Sequence, residues 1–175
     1  MIRIIIVGYM AAGKTTLGRQ LAKEMSLSFY DLDVYIENRM HKTISQLFIE
    51  RGEQGFREIE QKMLHEVAEF EDVVISCGGG TPCFFDNMEY INQQGESIYL
   101  KASPKTIIEH MGLNTKNRPL MQGKTEEESL AFVEQHLAER EPHYAKAQKT
   151  LNIDLLNSYE KIKTAVEQLK ILIHS

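Results

Sequence analysis

Ile4-Ile5-Ile6-Val7-Gly8-Tyr9-Met10-Ala11-Ala12-Gly13-Lys14-Thr15 joins an unbroken β-branched run to a glycine-bounded loop, and Leu17, Leu21, Ala22 and Met25 follow at helical spacing. A continuous apolar run ending at glycine marks a parallel strand covered on both faces. Apolar residues three and four apart mark a helix packed along one side. The eight residues from Gly8 to Thr15 fit Gly-x-x-x-x-Gly-Lys-[Ser/Thr] in the order strand, loop, helix that this motif requires. Glycines let the backbone curl so that successive N–H groups face an anion, and the helix N-terminus adds partial positive charge. A chance match in a chain of this length is on the order of one in a few hundred. The segment therefore predicts a nucleoside triphosphate site, with ATP held by Gly8, Ala11, Ala12, Gly13, Lys14, Thr15 and Thr16. Lys14 is expected to reach the β- and γ-phosphates, and the Thr15 hydroxyl to ligate Mg²⁺ directly.

Working outward, 175 residues suit one domain spanning 1–175, and 42% hydrophobic with 26% charged residues is ordinary globular usage. A net charge of −5 without a Lys/Arg run argues against a nucleic-acid or membrane-surface partner, which would need clustered positive charge. Cys77 and Cys83 lack zinc-site spacing and read as free thiols of a reducing compartment. The opening apolar run stops at Gly8, far short of the about 20 residues of a membrane span, so a cytoplasmic location and a monomer are expected.

Short apolar runs alternate with longer amphipathic stretches, as in a single α/β unit. Val73-Val74-Ile75 and Ser97-Ile98-Tyr99-Leu100 read as further strands, Thr150 to Ile153 as a weaker one, and Ser158 to Ile173 as a closing helix. Ser103-Pro104 and Thr125-Glu126-Glu127-Glu128 carry helix-start signals. Between these two starts, residues 112–124 lack apolar periodicity and predict an exposed loop, an active-site lid being one common use of such a length.

Four constellations bear on what accepts the phosphate. Asp31-Leu32-Asp33 ends the strand-like run Ser28-Phe29-Tyr30, where alternation points both carboxylates one way. One could hold the magnesium shell and the other orient or deprotonate a hydroxyl, although Asp-x-Asp is also common in surface turns. Arg57, at a predicted helix start in Gly55-Phe56-Arg57-Glu58-Ile59-Glu60, could grip a carboxylate or form a surface ion pair with Glu53 or Glu60. Gly78-Gly79-Gly80 after the strand ending at Ser76 suits a backbone that bends sharply or lies against a ligand. Arg118, within the lid, could stabilise the transferring phosphoryl group on closure, while Arg140 could serve substrate or its own helix end.

Taken together these residues resemble the shikimate kinase family along nearly the whole chain. The carriers are the P-loop, Asp31-x-Asp33, Gly52-Glu53-x-x-Phe56-Arg57-x-x-Glu60, Gly78-Gly79-Gly80, Asn117-Arg118-Pro119-Leu120 and Arg140-x-Pro142-x-Tyr144, in the family's order. The resemblance implies a three-layer P-loop fold, a five-stranded parallel sheet flanked by helices with a mobile lid. It implies transfer of the ATP γ-phosphate to the 3-hydroxyl of shikimate. It assigns the substrate to Asp33, Arg57, Gly79, Gly80 and Arg140, catalysis to Asp33, Lys14 and Arg118, ATP phosphates to Lys14 and Arg118, and a water-mediated magnesium contact to Asp31. Rival readings are a kinase of the same architecture acting on gluconate or a nucleotide, and a non-catalytic ATP-binding module. Two departures from the family are Ala11, where glycine is usual, and His110-Met111, where many relatives carry an arginine that stacks on adenine.

Overall fold

The computed structural model describes residues 1–113 and 124–175. Five strands, β1 (Arg3–Val7), β2 (Ser28–Asp31), β3 (Val73–Ser76), β4 (Glu96–Ala102) and β5 (Lys149–Ile153), form one sheet in the order β2-β3-β1-β4-β5. Every pairing is parallel. The helices are α1 (Lys14–Met25), α2 (Leu32–Met40), α3 (Ile44–Val67), α4 (Asn87–Gln94), α5 (Pro104–Leu113), α6 (Glu126–Tyr144) and α7 (Tyr159–Ile173). This is the expected three-layer architecture. Residues 114–123 of its expected lid lie outside the described residues, Arg118 among them, while Gly112 and Leu113 continue α5 where a loop was expected. Ser103, whose hydroxyl accepts the Thr106 N–H at 3.1 Å, starts that helix, and propagation through two more residues adds bonds at little further cost.

Strand β1 sits at the centre of the sheet, and Ile4 to Val7 are fully buried, which is why the run needs no polar alternation. After β3 the chain crosses over β1 to build β4 and β5, placing a topological switch beside β1, where open α/β sheets bind ligands. Register brings the three relevant strand ends level, because Asp31 pairs with Ser76 and Ser76 with Ile6. The loops after β1, β2 and β3 therefore open into one crevice. Among the described residues no helix is long and apolar enough to cross a membrane.

One local reading is corrected and another shifted. Asp31 and Asp33 do not share a face by strand alternation, since β2 ends at Asp31, whose carboxylate caps α2 by accepting the Val34 N–H at 3.2 Å. Asp33 then falls in the first helical turn. Arg57 lies in the second turn of the helical stretch that begins after Gly52, so the helix start expected around Gly55 falls a few residues earlier. Helix α3 begins at a Thr43/Gln46 capping box and is interrupted at Gly52 (φ 70°, ψ 178°), a backbone that glycine adopts freely, and Arg57 lies in the continuous stretch beyond.

Candidate active site

The crevice is a cavity of about 610 Å³ lined by the phosphate loop, Asp31, Asp33, Gly78 and Gly79, with His110 and Leu156 also bordering it. Lys14 is the first residue of α1 and only 8% exposed. Its ammonium donates to the Gly8 and Tyr9 carbonyls, both at 2.8 Å. Burial lowers its pKa to about 8, against the opposing pull of the Asp33 and Asp31 carboxylates. At neutral pH it stays largely charged and held on two exchangeable acceptors, a state an incoming phosphate can capture.

The Thr15 hydroxyl donates to Asp31 Oδ2 at 2.8 Å, so two hard oxygen donors meet at the mouth of the loop. Among the described residues no group of three His, Cys, Asp or Glu side chains could hold a metal by itself. Magnesium suits such a partial set, because it commonly takes one or two protein oxygens and fills its octahedron with phosphate and water. Asp33 lies half-buried nearby, and burial, reinforced by the Asp31 and Glu60 carboxylates, raises its pKa to about 6 despite Lys14.

The three glycines after β3 are explained by close approach. None of them has a positive φ. A Cβ on Gly78 would lie 2.9 Å from Asp33 Oδ1, one on Gly79 would lie 3.2 Å from Arg140 Nη1, and one on Gly80 would lie 2.6 Å from Arg57 Nη2. Each glycine thus makes room for one of the residues singled out from the sequence, and the run brings Asp33, Arg140 and Arg57 onto one short backbone segment. The same neighbourhood is felt by Cys83, whose thiol is raised by burial while Arg140 and Arg57 pull against the rise.

Arg57 is 7% exposed and forms both ion pairs expected of it, one with buried Glu60 and a looser one with exposed Glu53, whose Oε1 lies 3.8 Å from the Arg57 Nε. Its Nη1 donates to Glu60 Oε1 at 2.9 Å, and Glu60 Oε2 accepts from the Thr81 hydroxyl at 2.9 Å. The guanidinium lies 4.1 Å from the Phe84 ring centroid. Its Nε is buried and, among the described residues, without a hydrogen-bond partner. A donor left dry in this way carries a desolvation cost that a bound carboxylate would remove. Arg140 reaches Gly79 from α6, a helix tied to the site at two further points. The Tyr144 hydroxyl donates to the Gly79 carbonyl, and Tyr9 OH and His136 Nδ1 lie 2.8 Å apart.

Tyr144 was visible in the sequence only as a motif member, whereas Glu60 was already named, with Glu53, as a possible partner of Arg57. Thr81 and His136 carried no signal. Ala11 adopts φ 61°, so the loop accommodates its methyl group in the left-handed region. Arg118 lies outside the described residues.

The comparisons with known proteins agree with one another. The family model described as shikimate kinase matches residues 10–170. A shikimate kinase of Phocaeicola vulgatus is 52% identical over 97% of this chain and 97% of its own length. The solved structure of a Bacteroides thetaiotaomicron shikimate kinase is similar at a TM-score of 0.96 and 48% identity, covering 99% of both chains. An Acinetobacter baumannii shikimate kinase in complex with shikimate matches at a TM-score of 0.83 and 32% identity, over 99% of this chain and 94% of that one.

Proposed function

This chain belongs to the shikimate kinase family, and from that premise we propose how its residues perform the reaction. The enzyme transfers the γ-phosphate of ATP to the 3-hydroxyl of shikimate, giving shikimate 3-phosphate and ADP, a step of aromatic amino acid biosynthesis. The observation that carries the residue-level reading is the glycine run, which sets Asp33, Arg140 and Arg57 against one backbone segment beside the phosphate loop.

Shikimate is a compact ring with a carboxylate at one end and hydroxyls at the other. Arg57 and Arg140 take the carboxylate, the dry Nε of Arg57 gaining its missing acceptor. Gly79 and Gly80 let the ring approach the backbone. Asp33 faces the 3-hydroxyl. With a pKa of about 6 it is mostly ionised at neutral pH, yet basic enough to take the hydroxyl proton as the phosphoryl group transfers. Lys14 exchanges the Gly8 and Tyr9 carbonyls for the β- and γ-phosphates. Arg118 would neutralise the transferring group. Thr15 would ligate Mg²⁺ directly and Asp31 through water, the ion supplying charge neutralisation between the phosphates. Positioning and fixed charge are most of what phosphoryl transfer asks of a protein. We place the whole chain in one catalytic unit that works as a monomer in the cytoplasm, supported by Asp33, Arg57 and Arg140 meeting on one backbone segment beside the phosphate loop.

Acceptor-dependent ADP release in wild type and Arg57→Ala tests this reading. Wild type should turn over shikimate far faster than gluconate or nucleoside monophosphates. Arg57→Ala should raise the KM for shikimate about 10- to 50-fold with a much smaller change in kcat, since the contact exists in ground and transition states alike. Equal use of gluconate, or a kcat loss at unchanged KM, would overturn it.

A further inference from the structure

Ala11 is the one non-glycine residue of the phosphate loop whose backbone is left-handed. An L-residue there crowds its own Cβ, whereas glycine takes the conformation freely. The carbonyl of this strained residue is held from a distance. His110, in the last turn of α5, places Nδ1 2.7 Å from the Ala11 oxygen and Nε2 2.9 Å from the Leu156 nitrogen.

A backbone carbonyl only accepts and a backbone N–H only donates, so the two contacts fix the ring's state. Nδ1 carries the hydrogen and donates to Ala11, while the Nε2 lone pair accepts from Leu156. The side chain is 8% exposed, so water competes little for either bond. One imidazole thus joins the phosphate loop, α5 and the connection from β5 to α7. That connection also packs on the loop, a Cβ on Gly13 falling 2.6 Å from Leu156 Cδ1.

The consequence concerns the Ala11–Ala12 peptide plane. Its carbonyl is held by His110 and its N–H by the Tyr9 carbonyl at 3.2 Å. Were the plane to turn, the Ala11 oxygen would face the cavity and repel an anion there. We propose that His110 is a positioning residue for ATP, clamping the Ala11 carbonyl out of the phosphate site and so offsetting the glycine this loop lacks. The inference rests on the reading of the loop as the ATP site.

The test measures the ATP dissociation constant by direct titration, and KM for ATP and shikimate, in His110→Ala, His110→Asn and His110→Gln, with and without Ala11→Gly. An asparagine amide nitrogen stands near the position of Nδ1 and keeps a donor for Ala11, whereas glutamine reaches toward the position of Nε2. His110→Ala and His110→Gln should weaken ATP binding about tenfold while KM for shikimate stays within about twofold. His110→Asn should stay within about threefold of wild type, and adding Ala11→Gly to His110→Ala should restore most of the loss. Equal impairment of the Asn and Gln variants, or a double variant no better than His110→Ala, would overturn the clamp. A wild-type chain that binds no ATP would instead overturn the site reading beneath it, and the clamp with it.

Discussion

Lys14→Met lowers kcat by about 10³-fold, the largest loss expected from any single described side chain, because among the described residues it removes the one fixed cation at the floor of the phosphate loop. Methionine keeps most of the stem's volume, so packing around residue 14 should survive. What disappears is the charge, together with the donors to the Gly8 and Tyr9 carbonyls. Both carbonyls are buried, and although the Tyr9 oxygen keeps the Ala12 N–H, losing the amine leaves the Gly8 oxygen without that donor, so the melting temperature should fall by several degrees, ~1–3 kcal/mol. Among the described residues the charge has no substitute nearby. Arg140 already borders Gly79, and Arg57 is engaged with Glu60. Steady-state turnover with saturating ATP and shikimate checks the prediction. A kcat within about tenfold of wild type would show that the backbone amides and helix N-terminus carry the phosphate charge without Lys14.

Asp33→Asn lowers kcat by about 10² or more, the usual range for losing a general base. Asparagine preserves shape and can still hydrogen-bond a hydroxyl, so the loss isolates proton acceptance from orientation. The pH profile adds an independent signature. Burial and the neighbouring Asp31 and Glu60 carboxylates disfavour the ionised form of Asp33 and hold its pKa at about 6. The active form is the carboxylate, so kcat/KM for shikimate should be level between about 6 and about 8, where Lys14 begins to lose its charge, and fall about tenfold per pH unit below the Asp33 value. In Asp33→Asn this acid limb should vanish. An unchanged rate and an unchanged limb would reduce Asp33 to a hydroxyl-orienting residue.

The strongest signals in the sequence were those in which chemistry demands a local pattern. The phosphate loop was legible because an anion cradle needs glycine, lysine and hydroxyl at set spacing after a strand. The caps at Ser103 and Thr125 were legible because helix starts leave N–H groups that nearby side chains can satisfy, as both now do. Asp31 was read correctly as a pocket residue but through the wrong geometry. Whether a strand continues or a helix begins at such a residue depends on packing beyond the next few positions, which alternation does not encode. Strand order was likewise out of reach, since β2 lies beside β3 and never touches β1.

Long-range polar contacts were the least legible part. Glu60 meets Thr81 across 21 residues, and Tyr9 meets His136 across 127. Nothing in either local sequence names its partner. The triple glycine was the exception that pointed across the fold, because a residue without a side chain reports on what stands beside it. Here those neighbours are Asp33, Arg140 and Arg57.

The most direct measurement is a crystal structure of this protein with shikimate and ADP. The ring carboxylate should contact the guanidinium groups of Arg57 and Arg140, and the 3-hydroxyl should sit about 3 Å from an Asp33 carboxylate oxygen on the side facing Lys14. A ring bound with its carboxylate away from both arginines, or with its 3-hydroxyl out of reach of Asp33, would contradict the account.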